Sequence, residues 1–328
     1  MRLLAAAALL LASLAAAEAQ IVRPGSTGML EALWPETDFS RAAIDLDEVT
    51  RGGPPRDGIP ALTDPAFVPL DEKTGLDPRE PVVSLTLEGE TRAYPIRYLT
   101  WHEIANDRIG GVPVAVTYCP LCNTAVVFDR RVGGETLEFG VSGLLRHSDM
   151  IMYDRTHFTW WQQFTGEAIV GALTGAELRA LPSRMESWAN FRARAPEGAV
   201  VMAEPEGWRR DYGRNPYVGY DGSDWPFLYR GERPPHGIAP LARVVRVGAR
   251  AWPMTRVAEA GRIAEAGVVI DWTEGQASAL DAADLAGGAH VGDIAVRDAE
   301  TGAPVVHEVT FAFAFHAFHP EGAWMLGD

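Results

Sequence analysis

The stretch Val83-Ser-Leu-Thr-Leu-Glu-Gly-Glu-Thr-Arg-Ala-Tyr-Pro-Ile96 decides the fold class of this chain. Apolar residues alternate with polar ones on both sides of a Glu-Gly-Glu turn, which is the pattern of a β-hairpin. A second stretch, Arg243-Val-Val-Arg-Val-Gly-Ala-Arg-Ala-Trp-Pro-Met254, repeats the strand, the glycine turn and the Arg-Ala-aromatic-Pro-aliphatic ending. We infer an internal duplication, with two hairpins that converged on similar sequences as the alternative.

Around these hairpins the chain is divided into short segments by 33 glycines and 23 prolines, and long helical periods are few. This composition predicts a mainly β fold (β-rich α+β). We expect the duplicated hairpin unit to form a barrel- or sandwich-like core with a few short helices. The expected organisation is a signal peptide at 1–19, an N-terminal arm at 20–60, a first repeat at 61–235, and a second, degenerate repeat at 236–328 that completes the core.

The chain begins with one basic residue and an Ala/Leu run, and then offers Ala17-Glu-Ala19 as a small-residue cleavage site. This pattern is typical of a secretory signal peptide, so we expect a periplasmic or secreted protein with no membrane insertion after signal removal. The formal charge of −15 argues against nucleic acid as a partner.

The only two cysteines lie in Thr117-Tyr-Cys-Pro-Leu-Cys-Asn-Thr124, spaced C-x-x-C between two apolar runs. The motif is therefore expected at a strand-to-strand turn, unlike the thioredoxin-like dithiol that opens a helix. A disulfide across so short a loop would stabilise the fold only weakly. A C-x-x-C turn also presents two thiolates to one metal ion and needs further ligands from elsewhere.

His102 is the nearest candidate ligand in sequence, and it could also be the base that keeps a thiol ionised. His147 is a further candidate, and the sulfurs of Met150 and Met152 lie on the same later segment. Thiolates with imidazole form a soft donor set, so the expected metal is copper first and zinc second. For His102 the competing interpretation is a packing histidine, and for the two methionines it is a place in the core.

Three functions remain open from the residues. The first is an exported protein whose Cys119, Cys122 and His102 bind a soft metal for metal handling or redox chemistry, with a metal-delivery protein or a small molecule as partner. The second is a thiol-disulfide oxidoreductase that uses the same three residues as catalytic groups. The third is a non-catalytic binding module with a structural disulfide, in which Trp161 and Gln162 form a pocket wall.

No G-x-S-x-G elbow, P-loop, dinucleotide glycine fingerprint or H-E-x-x-H motif occurs in the sequence. Serine-hydrolase, nucleotide-binding and zinc-protease functions are therefore not supported.

Several motifs occur in an order that resembles a bacterial and archaeal family, the domain-of-unknown-function family 3179. They are Trp101-His-Glu-Ile104, Gly111-Val-Pro-Val-Ala-Val-Thr-Tyr-Cys-Pro-Leu-Cys-Asn-Thr124, Phe139-Gly-Val-Ser-Gly-Leu-Leu145, Met152-Tyr-Asp-Arg155, Trp160-Trp-Gln-Gln-Phe-Thr-Gly-Glu-Ala-Ile-Val-Gly171 and Tyr212-Gly-Arg-Asn-Pro-Tyr217. The resemblance runs from about residue 60 to the C-terminus. It implies an exported protein without an established activity, and it gives weight to Cys119, Cys122 and His102 as one unit.

Overall fold

The computed structural model describes residues 27–71 and 74–327. It is mainly β, with 38% of residues in strands and 16% in helices, and five small sheets form a ring like that of a five-bladed propeller. The mainly β fold class is therefore confirmed, and a barrel-like core fits this ring. Among the described residues, no helix is long and apolar enough to cross a membrane. The expected signal peptide at 1–19 lies outside the described residues.

The strands, numbered along the chain, are β1 (Val49–Arg51), β2 (Leu62–Thr63), β3 (Phe67–Pro69), β4 (Pro81–Leu87), β5 (Glu90–Pro95), β6 (Ile104–Ile109), β7 (Val112–Cys119), β8 (Thr124–Asp129), β9 (Arg131–Val132), β10 (Glu135–Thr136), β11 (Phe139–Arg146), β12 (Asp149–Asp154), β13 (Trp160–Gln162), β14 (Ala168–Val170), β15 (Arg179–Leu181), β16 (Arg184–Ser187), β17 (Val200–Met202), β18 (Arg243–Val247), β19 (Arg250–Pro253), β20 (Arg262–Glu265), β21 (Val268–Thr273), β22 (Asp293–Asp298), β23 (Glu308–Phe311) and β24 (Ala323–Trp324). The α-helices are α1 (Thr27–Leu33), α2 (Ile96–His102), α3 (Trp188–Arg194), α4 (Met254–Ala260) and α5 (Ala312–Phe318).

Two of the sheets are built in the same way around the two hairpins seen in the sequence. In sheet 1 (β16-β4-β5-β17-β3), β4 and β5 are flanked by antiparallel β16 and parallel β17. In sheet 4 (β23-β18-β19-β24), β18 and β19 are flanked by antiparallel β23 and parallel β24. A short helix joins the two flanking strands in each case, α3 in sheet 1 and α5 in sheet 4. The two sheets therefore share one topology.

The segment after each hairpin also recurs. A seven-residue helix, α2 or α4, follows the hairpin and leads into three successive antiparallel strands. These strands are β6-β7-β8 in sheet 2 (β15-β8-β7-β6-β2) and β20-β21-β22 in sheet 5. The same elements in the same chain order are what a duplication produces, while the exact repeat boundaries stay a prediction.

The first copy contains an insertion that the second copy lacks. Between β8 and β15 the chain forms the β9/β10 ribbon and most of sheet 3 (β1-β11-β12-β13-β14). Residues from the predicted N-terminal arm complete this sheet, because β1 pairs with β11 and the side chains of Leu30 and Trp34 pack in the same apolar cluster as Trp160. The insertion thus brings a new sheet next to the cysteine motif.

The loops between the last two strands of each three-stranded unit differ in length. Only four residues, 120–123, separate β7 from β8. The corresponding connection between β21 and β22 spans residues 274–292. Backbone hydrogen bonds join this long loop to the segment after β17. The Asn215 N–H donates to the Ala283 carbonyl and the Tyr220 N–H donates to the Leu280 carbonyl, each at 2.9 Å.

Candidate functional site

The two cysteines lie on a tight turn at the end of β7. Cys119 is the last residue of β7, Pro120–Cys122 form one turn of 3-10 helix, and Cys119 pairs with Thr124 at the start of β8. Asn123 closes the turn in the left-handed conformation, with φ 51° and ψ 36°, which asparagine adopts more readily than most residues. The predicted strand-to-strand turn is therefore present.

Two residues of the second copy, Val309 and Thr310, hold this turn in place. The Thr310 hydroxyl on β23 donates to the Cys122 carbonyl at 3.0 Å and lies 2.7 Å from the Thr124 hydroxyl. The Asn123 amide donates to the Val309 carbonyl at 3.2 Å. The copy without cysteines thus contributes to the geometry of the site.

Both cysteines are free thiols and are almost completely buried, with 2% of Cys119 and 0% of Cys122 exposed. The Cys122 thiol donates to the Ser148 carbonyl, with sulfur and oxygen 3.3 Å apart. Burial raises the pKa of both thiols, and that of Cys122 lies well above its ordinary value. The structural disulfide of the third sequence hypothesis is not formed in this structure.

Asp149, the first residue of β12, brings a carboxylate to the thiols. One oxygen of Asp149 and both sulfur atoms lie within 4.8 Å of one another. The Gln162 amide and the Phe164 backbone N–H donate to Oδ2 of Asp149 at 2.6 and 3.0 Å. Oδ1 is buried and has no hydrogen-bond partner among the described residues.

The groups that act most strongly on this cluster are acidic. Burial is the main reason why the pKa of Asp149 rises to about 6. The charged groups that act most strongly on Cys119 and Cys122 are Asp149 and the other thiol, together with Glu103 at Cys119. Ionising all of these groups without a cation would place several negative charges in a region of low dielectric constant. A bound cation would remove that penalty.

Glu103 is a second acidic residue that interacts electrostatically with Asp149 and Cys119. It is only 7% exposed, and burial, followed by repulsion from Asp149, raises its pKa to about 8. Its backbone has φ 58° and ψ −31°, a region that residues with a Cβ rarely occupy, at a cost of about 1–3 kcal/mol. Buried strain of this kind often marks a functional position.

The structure does not bring His102 to the cysteines. Its Nδ1 donates to the Pro60 carbonyl at 2.7 Å, which leaves Nε2 to accept from the Tyr212 hydroxyl at 2.6 Å. Both ring nitrogens are used in this way, and His102 lies outside the group of potential metal ligands that Cys119 and Cys122 form. Burial lowers the pKa of His102, which favours the neutral ring in this position. The carboxylate of Asp149, and not the imidazole expected from the sequence, lies within 4.8 Å of the two sulfur atoms.

The remaining predicted residues lie around the site in other roles. His147 does not join the group; its Nε2 is 3.6 Å from a carboxylate oxygen of Glu48. Trp161 and Gln162 are fully buried, so they do not form the wall of an open pocket. Gln162 instead orients Asp149. Met150 and Met152 pack in the same apolar cluster as the cysteines.

Two tyrosines of the segment after β17 cover the site. Tyr217 and Tyr220 pack against the apolar cluster that contains the cysteines, and the Tyr220 hydroxyl donates to the Leu121 carbonyl at 2.9 Å. The long loop between β21 and β22 holds this segment through the backbone bonds described above. The dithiol is therefore enclosed by both copies of the repeat.

Asp149 and Glu103 were not selected from the sequence, although each left a signal there. Asp149 is an acidic residue at the head of the apolar strand Met150-Ile-Met-Tyr153, where a charge needs a partner. When the two copies are aligned on their Arg-Ala-aromatic-Pro motifs, Glu103 corresponds to Gly261. The first copy thus has a charged residue where the second copy has glycine.

The fold and the site together define a propeller-like β protein with a buried dithiol–carboxylate cluster. Residues 56–322 match the family described as "Protein of unknown function (DUF3179)", and because this match covers most of the chain, the protein belongs to that family. Comparison with curated proteins and with solved structures found no match.

Proposed function

We propose that this protein is an exported metal-binding protein that holds one zinc-class divalent ion at Cys119, Cys122 and Asp149. The observation that carries the proposal is the convergence of two sulfur atoms and one carboxylate oxygen within 4.8 Å in the protein interior. Deprotonated thiols and a carboxylate are zinc ligands.

The donor set favours zinc over copper. Copper(I) prefers sulfur and imidazole, whereas zinc also accepts carboxylate oxygen. The structure offers Asp149 in the third position, while His102 is hydrogen-bonded elsewhere and the two methionines pack in the core. The order expected from the sequence, copper before zinc, is therefore reversed in this proposal.

The thiol-disulfide alternative has less support. An attacking thiol must be accessible and at least partly ionised. Cys119 and Cys122 are buried, and burial raises the pKa of both thiols rather than lowering it. The pair is better suited to binding a cation that displaces the thiol protons.

Elemental analysis of the purified full-length protein tests the proposal. We expect about one zinc per chain in the wild type and loss of the metal in Cys119→Ser, Cys122→Ser and Asp149→Asn, because each substitution removes a ligand. His102→Gln is the matched control. It alters a buried polar residue whose ring is already hydrogen-bonded, and it should retain the metal.

Two results would count against this function. A metal-free wild type that also fails to take up zinc, cobalt or copper after reduction would exclude a metal site. Loss of metal in His102→Gln with retention in Asp149→Asn would instead restore the histidine ligand predicted from the sequence.

A further inference from the structure

A cleft opens where the first copy of the repeat meets the second. Its walls come from sheet 1 and sheet 5, whose edge strands β16 and β22 are in contact. The backbone N–H and the hydroxyl of Ser187 on β16 donate to the carboxylate of Asp293 on β22, at 2.9 and 3.1 Å. The cleft has a volume of about 660 Å³, within the range of about 300–1,000 Å³ that is usual for small-molecule sites.

The cleft is separate from the dithiol. Leu85 and Leu181 in its lining pack in the apolar cluster of sheets 1 and 2, and Val305 packs against the cluster of sheet 5. Cys119 and Cys122 belong to a third cluster. The cleft is therefore a second candidate site, and its occupation does not depend on the proposed metal.

Strand alternation decides which side chains form the sheet 5 wall. Ile294 and Val296 of β22 pack in the apolar core of this sheet, so Ala295 and Arg297 lie on the other face, toward the cleft. Asp271 on β21 is directly opposite Ala295, and Arg297 donates to it at 2.6 Å. This wall thus has a compensated ion pair beside a small alanine, which leaves room for a ligand.

The sheet 1 wall has two arginines that share one carboxylate. Arg184 of β16 lies opposite Ser84 of β4, and Arg194, the last residue of α3, donates to the Ser84 hydroxyl at 2.8 Å. Both guanidinium groups contact Glu186, which is 2% exposed; the Nε–O distances are 3.2 Å for Arg184 and 2.8 Å for Arg194. Two cations with one shared carboxylate leave a positive charge at the cleft.

Arg184 has donors available to a ligand. Its two Nη atoms form no hydrogen bond within the part of the chain that the structure describes, and only 25% of its side chain is exposed. The neighbouring Asp293 carboxylate is hydrogen-bonded by Ser187 and Asn190 and by no arginine. A guanidinium group with free Nη atoms matches the geometry of a carboxylate.

We propose that this cleft binds a small carboxylic acid with an aliphatic or aromatic body. The carboxylate pairs with Arg184 and Arg194, and the body packs between Leu87 of the first copy and Val305 of the second. Because each wall comes from a different copy, the ligand bridges the two halves of the duplication.

Isothermal titration calorimetry of the full-length protein with octanoate and with 2-naphthoate tests this proposal. Octanamide and 2-naphthamide are the matched probes, because each keeps the apolar body and removes the charge. We expect at least one acid to bind once per chain, and its amide to bind about 10–100-fold more weakly, the effect of losing a hydrogen-bonded charge.

Variants locate the binding in the cleft. Arg184→Gln should weaken binding of the acid about 10–100-fold and leave the amide unaffected. Ala295→Phe should abolish binding of both by filling the space. Arg192→Gln is the matched control, because Arg192 is exposed on the same helix as Arg194 but lies outside the cleft. It should bind as the wild type does.

Three results would overturn the proposal: no binding of either acid, equal affinity for an acid and its amide, or wild-type affinity in Arg184→Gln. Thermal unfolding without ligand checks that each variant is folded. If Ala295→Phe does not fold, the comparison of Arg184→Gln with Arg192→Gln decides the question alone.

Discussion

Replacing Glu103 by glutamine should change how the stability of the metal-free protein depends on pH. Glutamine matches the size of the protonated glutamate but cannot ionise. The pKa of Glu103 is raised from its ordinary value of 4.5 to about 8, with burial as the main cause. At a pH between these two values, the carboxyl group of Glu103 is ionised in the unfolded chain but still protonated in the folded protein. The stability that this group contributes is therefore present at low pH and falls as the pH rises toward 8.

The size of the effect follows from the shift. One pKa unit corresponds to about 1.4 kcal/mol, so titration of this one group should remove about 2 kcal/mol from the free energy of unfolding between pH 6 and pH 8. The pKa of Asp149 is raised to about 6, so most of its own contribution to stability is already lost below pH 6, in the wild type and in Glu103→Gln alike. The wild type should therefore become less stable than Glu103→Gln as pH rises from 6 to 8.

Urea denaturation followed by tryptophan fluorescence, in the presence of a metal chelator, measures this difference at pH 6, 7 and 8. Glu88→Gln is the control, because Glu88 is exposed and its curve should run parallel to that of the wild type. If the curve of Glu103→Gln also runs parallel to that of the wild type, Glu103 is not a buried carboxyl group with a raised pKa, and the reasoning fails.

Three further outcomes are expected. Zinc at about 100 times its dissociation constant should stabilise the reduced protein by about 2.7 kcal/mol and raise its melting temperature by roughly 4 °C in differential scanning calorimetry, and no shift would contradict a native-state site. Gln162→Leu removes the amide that orients Asp149 and should weaken cobalt binding about 10–100-fold in a competition titration, whereas unchanged affinity would show that Asp149 needs no such support. Asn123→Ala should cost about 1 kcal/mol in urea denaturation because of its positive φ, while Asn123→Gly should be nearly neutral; equal losses would indicate that the Val309 hydrogen bond matters more.

Much of the local structure follows from neighbouring residues. The hairpins around Glu88-Gly89 and at Gly248, and the strand-to-strand turn at Cys119–Cys122, were all predicted because alternation and turn residues act over a few positions. The mainly β fold class follows from the same signals repeated along the chain. The likeness of the two hairpins also indicated the repeated unit.

The composition of the site was decided by tertiary structure. The sequence by itself determined the pair of thiols and the turn that presents them. It could not determine that an inserted sheet carries Asp149 to the sulfur atoms, because that contact depends on how distant sheets pack in the ring. It also could not determine that His102 is held by hydrogen bonds to Pro60 and Tyr212 and lies outside the group that Cys119 and Cys122 form. These two partners lie 42 and 110 residues from His102 in the chain, so only the tertiary structure brings them to its ring.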